Sequence, residues 1–156
     1  MTPSDSPADP RLDPRILERE GLDPATVEAV GKLSEALETI EVARGHLYAF
    51  HQLTGHADFQ VEDSVELLRN AGHSELADTL ARELVGRNVL PGRWTFQIVE
   101  EFEETYYEPF RELERRSREL TNGHHHLYEA GLKRQRRTAG QPGHEPTPQE
   151  PVQPDR

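Results

Sequence analysis

Residues 24–54 read PATVEAVGKLSEALETIEVARGHLYAFHQLT, and the spacing within them decides the fold class. On a helical wheel of about 100° per residue, Leu33, Leu37, Ile40 and Leu47 fall on one stripe, flanked by Ala36 and Tyr48. That spacing predicts a long amphipathic helix. Its start is marked by Asp23-Pro24, a carboxylate able to cap the first amides followed by a residue suited to the first helical position. Gly55 is the expected stop.

The same signals recur outward from this stretch. Asp13-Pro14 predicts a short helix near 14–20, and Asp58 and Gly72 bracket one near 58–71. Ser74 caps a helix to about Val85. After the Pro91-Gly92 turn, a long helix near 93–121 ends at Asn122-Gly123, and a last one spans roughly 124–138. Pro109 falls inside the fourth of the major helices and should kink it. No stretch alternates with period two, so the chain is expected to be all-α: a helical bundle with two long helices, two short helices and a C-terminal helix. Residues 1–12 and the Pro-rich residues 139–156 read as disordered tails around a single domain over 13–138.

Composition limits the chemistry. The chain has 156 residues, 30% of them charged, no Cys and a formal charge of −11. Without Cys there is no disulfide framework, thiolate metal site or Cys nucleophile. No apolar run approaches the roughly 18 residues that span a bilayer, so a cytoplasmic, membrane-free protein is expected. The charge is uneven, with nine Lys or Arg against 22 Asp or Glu in residues 1–110 but eight against four in residues 111–137. An acidic body disfavours nucleic acid, which needs a broad basic face. The exception is the run containing Lys133, Arg134, Arg136 and Arg137, whose simpler role is to complement the dipole of the last helix.

A few polar residues stand where apolar ones belong. Arg44 and His51 project from the middle of the first stripe and must be buried or line a cavity. An unpaired buried guanidinium is costly, so Arg44 needs a carboxylate. On the fourth helix the stripe is Phe96, Val99, Phe102, Tyr106, Phe110 and Leu113, with Tyr107 on its edge and Glu103 inside it. The expected constellation is an Arg44–Glu103 pair with His51 and the hydroxyls of Tyr48 or Tyr106 nearby. It serves either as a network fixing helix register or as a small-ligand or metal pocket in the bundle core.

Metal chemistry has thin support. Five Gly-His dipeptides occur, but at Gly55, Gly72 and Gly123 they coincide with expected helix stops. No His follows a Glu by three residues, and His-x-x-x-His is missing, so di-iron and helical zinc signatures are absent. His51, Glu103, His125 and Glu129 remain as candidate ligands for a divalent metal, and no other cofactor is expected. Glu38-x-x-Glu41 with Glu75-x-x-Asp78 is similar in residue type to the magnesium-binding acids of the all-α nucleotide pyrophosphohydrolase group. It departs in placing Glu38 on the solvent side and in lacking a basic phosphate-gripping cluster. Glu101, Glu104 and Glu108 lie opposite the apolar stripe, as a solvated face would. The only Trp, Trp94, staples the incoming loop to the core or, if exposed, marks an interface or a ligand-facing lid.

GHLYAFHQLTGHAD (45–58) and GRNVLPGRWTFQIVEEF (86–102) resemble blocks of an uncharacterised all-helical protein family of high-GC bacteria, over roughly residues 25–145. The resemblance implies a helical fold and no activity. The sequence therefore reads first as a non-enzymatic protein acting by protein–protein interaction or self-association. The alternative is a ligand or metal site, catalytic in its strongest form, around Arg44, His51 and Glu103.

Overall fold

The structure, a computed structural model, describes residues 12–124 and 126–145. It is all-α. Its helices are α1 (Pro14–Glu20), α2 (Pro24–Asn70), α3 (Ser74–Glu83), α4 (Thr95–Phe102), α5 (Glu108–Ser117) and α6 (Leu127–Arg136). A π-helical segment, Glu103–Tyr107, joins α4 to α5, and a 3-10 turn, Arg118–Thr121, follows α5. No strand occurs among the described residues, and no described helix is long and apolar enough to cross a membrane. The chain divides into two compact units, one of Met1–Glu35 with Leu113–Arg156 and one of Ala36–Glu112.

In the first unit, Asp13 caps α1 by accepting from the Arg15 amide at 3.0 Å, and its carboxylate also meets Arg134 at 3.2 Å. Both contacts hold the carboxyl below its ordinary range, the amide bond most. Gly21, with φ 65°, closes α1 in the left-handed conformation, so that the Leu22 amide reaches back to the Leu17 carbonyl. Leu12, Leu17, Leu22 and Val27 then form a core on which Leu127 and Tyr128 pack. Leu12 is thus part of the fold, while the expected tails lie largely outside the described residues, at 1–11 and 146–156. Gly31 lies close under Tyr128, since a Cβ there would stand 3.0 Å from the ring and the ring would have to give way. The buried Glu114 accepts from the Ser34 hydroxyl at 2.8 Å and pairs with Arg118 at 3.2 Å.

In the second unit, α2 does not stop at Gly55. It runs on to Asn70, so the two helices expected on either side of residues 55–57 are one. Gly55 has no positive φ, whereas Gly72 does (87°) and ends the helix as expected. A glycine inside a helix costs about 1 kcal/mol against alanine, which weakens a helix without breaking it. Asn122 and Gly123, with φ 54° and 76°, likewise stop the 95–121 run where expected.

The other departure follows from Pro109. Proline has no N–H, and its ring collides with the carbonyl four residues back in a regular α-helix. Here the strain is absorbed by the π segment, where the Glu108 amide donates to Glu103 five residues back. One extra residue per turn rotates everything beyond it by about 100°. Tyr107 is consequently buried at 5% exposure and Tyr106 is outside at 50%, the reverse of the regular wheel. The same shift carries Leu113 and Leu120 outward and Glu114 and Thr121 inward.

Because the backbone at Gly55 is helical, Gly55→Ala should raise unfolding free energy by about 0.5–1 kcal/mol. Urea denaturation checks this, and a loss of stability would place a break at residue 55 after all.

Candidate functional site

Within the second unit, α2 turns one continuous face inward: Leu37, Ile40, Arg44, Leu47, His51, Thr54, Asp58, Val61, Val65 and Leu68, spaced alternately by three and four residues. This is a heptad seam with four polar members. Three of them are met by a specific partner.

Arg44 donates from Nε to Glu103 Oε1 at 2.6 Å, with the side chains 33% and 20% exposed. The predicted pair exists, half-buried rather than sealed. The hydrogen bond to Glu103, reinforced by its charge, holds the guanidinium more firmly protonated than an ordinary Arg, against the opposing effect of burial. The guanidinium also lies over the rings of Tyr107 (4.5 Å) and Tyr48 (5.2 Å). Tyr107 in turn donates its hydroxyl to Glu41 at 2.5 Å. Glu41 and Tyr107 therefore belong to the network, and Tyr106 does not. Tyr106 sits outside against Phe102 and Phe110, at 5.7 and 6.0 Å between ring centres. Tyr48 contributes its ring face to Arg44.

His51 is not part of the Arg44–Glu103 pair. Its Nδ1 lies 2.7 Å from Oγ1 of the buried Thr95, the first residue of α4. Asp58 accepts from the Gly86 amide at 2.8 Å and so ties α2 to the loop that follows α3. The fourth polar member, Thr54, opens onto a groove of about 460 Å³ between α2 and residues 84–95. This groove is bordered by the polar seam through Thr54 and Asp58. It lies beside Thr54 and Thr95, one helical turn past His51, where Arg44 was expected to adjoin it. Its loop is set by the Pro91-Gly92 turn, in which Leu90 and Arg93 exchange backbone bonds of 3.0 and 3.3 Å. Gly92 takes the positive φ (70°) that the turn needs.

Metal candidates are dispersed by this arrangement. His51 and Glu103 each face a different partner, and His125 lies outside the described residues. Glu129 is exposed, with His126 Nδ1 at 3.8 Å. Among the described residues, no three His, Asp or Glu side chains converge on a point where an ion could sit. The acids that resembled a magnesium site are also apart in role: Glu38 is exposed, Glu41 holds Tyr107, and Asp78 pairs with Arg69 at 2.9 Å. Glu101 pairs with Arg93 at 2.8 Å and Glu108 with Arg111 at 3.3 Å, as a solvated face does.

Sequence reasoning passed over Thr54 and Thr95 and gave Asp58, Tyr107 and Glu41 other roles. Extending the three-four spacing through Gly55 would have found Thr54 and Asp58. Treating Pro109 as the source of an added residue would have found Tyr107.

Both the bond to Glu41, the larger effect, and burial raise the Tyr107 phenol above its ordinary value. The folded state thus favours the neutral phenol, and its contribution to stability is complete below about pH 10 and lost as pH rises beyond it. Tyr107→Phe should cost about 1 kcal/mol near neutrality, Tyr106→Phe close to nothing. Above about pH 10 the stability gap between the parent and Tyr107→Phe should close. Equal effects at the two tyrosines in urea titrations would remove the π-segment explanation. No family model, no curated protein and no solved structure matches this chain, so what the site does has to follow from its geometry.

Proposed function

We propose that this is a non-enzymatic, cytoplasmic helical protein that acts by associating with a second copy of itself through the outer face of α2. The observation that carries the reading is a row of exposed, mostly uncharged residues. Val42, Ala49, Leu53, Gln60 and Leu67 share one face of the helix and are all exposed, with Val42, Leu53 and Leu67 at 63%, 68% and 68%. His46 and His56 flank the stripe, and no Lys, Arg, Asp or Glu interrupts it between Val42 and Gln60, roughly 27 Å of helix, while Asp63 falls on the same row before Leu67.

In a chain that is 30% charged, such a face needs a reason. Three large aliphatic side chains in water at helical spacing mark an interaction surface. The chain carries −11, so two copies repel over most of their surface and approach most easily where charge is missing. A two-fold pairing of α2 with its copy would bury the stripe on both sides at once.

The internal arrangement points the same way. Arg44, His51 and Asp58 are each engaged with a partner inside the unit, which is what a scaffold requires.

Sedimentation should detect a reversible dimer whose population rises with protein concentration. It should strengthen as salt rises from about 0.01 M to about 0.15 M, because the Debye length falls from about 30 to about 8 Å. Leu53→Glu should return the protein to monomer with its helicity intact. A monomer under all these conditions, or a dimer indifferent to Leu53→Glu, would overturn the reading.

A further inference from the structure

The groove beside Thr54 is separate from the self-association stripe, and we infer that it is a binding site for a small aromatic monocarboxylate. Its volume of about 460 Å³ lies in the range of small-molecule sites, about 300–1,000 Å³, and is too small for a folded partner. Three features define the ligand.

The walls are apolar and aromatic. Phe59 from α2 and Trp94 from the entry to α4 are 67% and 49% exposed, and Leu84 and Val89 complete the lining. Trp94 stands edge-on to Phe96, at 6.2 Å and 84°, so its ring is held rather than left to swing. Its backbone amide is fixed by Gln97 Oε1 at 2.8 Å. Such a wall takes a flat ring, by stacking or edge contact.

The polar equipment is sparse and placed on two sides. Thr54 and Thr95 bring hydroxyls to the groove. Thr95 Oγ1 spends one interaction on His51, and a hydroxyl has one donor and two acceptor positions, so it can still meet a ligand.

Arg87 is the only cation in the lining, and it fixes the sign of the ligand. It is exposed, and its guanidinium donates through Nη1 to the Glu83 carbonyl at 3.2 Å, which uses one of five N–H donors. The fork suits a carboxylate. Asp58, the only acid in the lining, accepts from the Gly86 amide through Oδ1 and forms no ion pair with Arg87 among the described residues. One available cation against an overall −11 sets the ligand at one negative charge, because a dianion would meet repulsion from the rest of the chain.

The test uses the whole chain labelled with nitrogen-15 and 2-naphthoate as the probe. A single Trp gives a single indole N–H signal, which reports on the groove wall, and the Gly86 amide reports on its loop. Both should shift saturably with 2-naphthoate, and in the Leu53→Glu variant as well, so that the result does not depend on self-association. Arg87→Gln should weaken binding roughly tenfold, the loss of one charge-assisted contact. Uncharged 2-methylnaphthalene should bind less tightly by a similar factor. Gly55 also lines the groove, and a Cβ there meets no atom within 4 Å. Gly55→Leu therefore fills the space with a helix-favouring residue and should abolish the shifts while leaving the protein at least as stable. Absence of a saturable shift, equal binding of the uncharged probe, or binding unchanged by both Arg87→Gln and Gly55→Leu would each overturn the proposal.

Discussion

A guanidinium placed on the inner face of a long helix has to be answered by a carboxylate from across the interface, and most of the second unit is arranged around that requirement. Arg44 finds Glu103 at 2.6 Å, and Glu103 is also the carbonyl that accepts from the Glu108 amide in the π segment. Side-chain pairing and backbone irregularity thus meet at one residue. Pro109 makes the π segment necessary, and the π segment turns Tyr107 inward, where its ring lies under Arg44 and its hydroxyl reaches Glu41. Without the added residue, Tyr106 would occupy that place. The pair is half-buried, so the desolvation it pays is moderate, and the two ring faces offset part of it.

The same seam links this constraint to the rest of the unit. Beyond Arg44, the inward positions of α2 carry His51, Thr54 and Asp58 before returning to Val61, Val65 and Leu68. His51 fastens the start of α4, and Asp58 fastens the loop at Gly86. A seam made wholly of Leu and Val would slide in register at little cost, whereas these contacts exist in one register only. Thr54 lies between the two fastenings and has no large side chain to fill the space, and the groove opens there. The exposed stripe and the groove thus lie on different sides of α2, the groove opening where the inner seam carries Thr54.

Much of this was readable from local chemistry. Asp13-Pro14, Asp23-Pro24, Gly72 and Asn122-Gly123 act as helix punctuation because each supplies what a helix end lacks, a side-chain acceptor or a left-handed residue. Arg44 and Glu103 could be matched because each was the wrong residue type for its stripe, and only one carboxylate stood inside the facing stripe. Two features escaped for definite reasons. Gly55 carries the residue type of a stop but not the conformation, and whether a helix continues through glycine depends on packing on either side, here Thr54 and Asp58 in the seam. Pro109 announces a disturbance but not its form. A kink and an added residue differ only in which carbonyl accepts from Glu108, and that choice decides the facing of Tyr106, Tyr107, Leu113 and Glu114. His51 was matched to the wrong partners because Thr95, although one turn before Val99 on the same face, is a short hydroxyl at a helix entrance and does not stand out from the stripe as a charged residue does.

Coupling between Arg44 and Glu103 is the interaction on which the register of the second unit rests. A double-mutant cycle with Arg44→Met and Glu103→Gln, read as unfolding free energy in urea, measures that coupling directly. Because the pair is only partly exposed, a coupling of about 1–2 kcal/mol is expected, with each single variant losing more than its share of the double. Additivity within about 0.5 kcal/mol would contradict it, and would mean that the two helices hold their register without this pair.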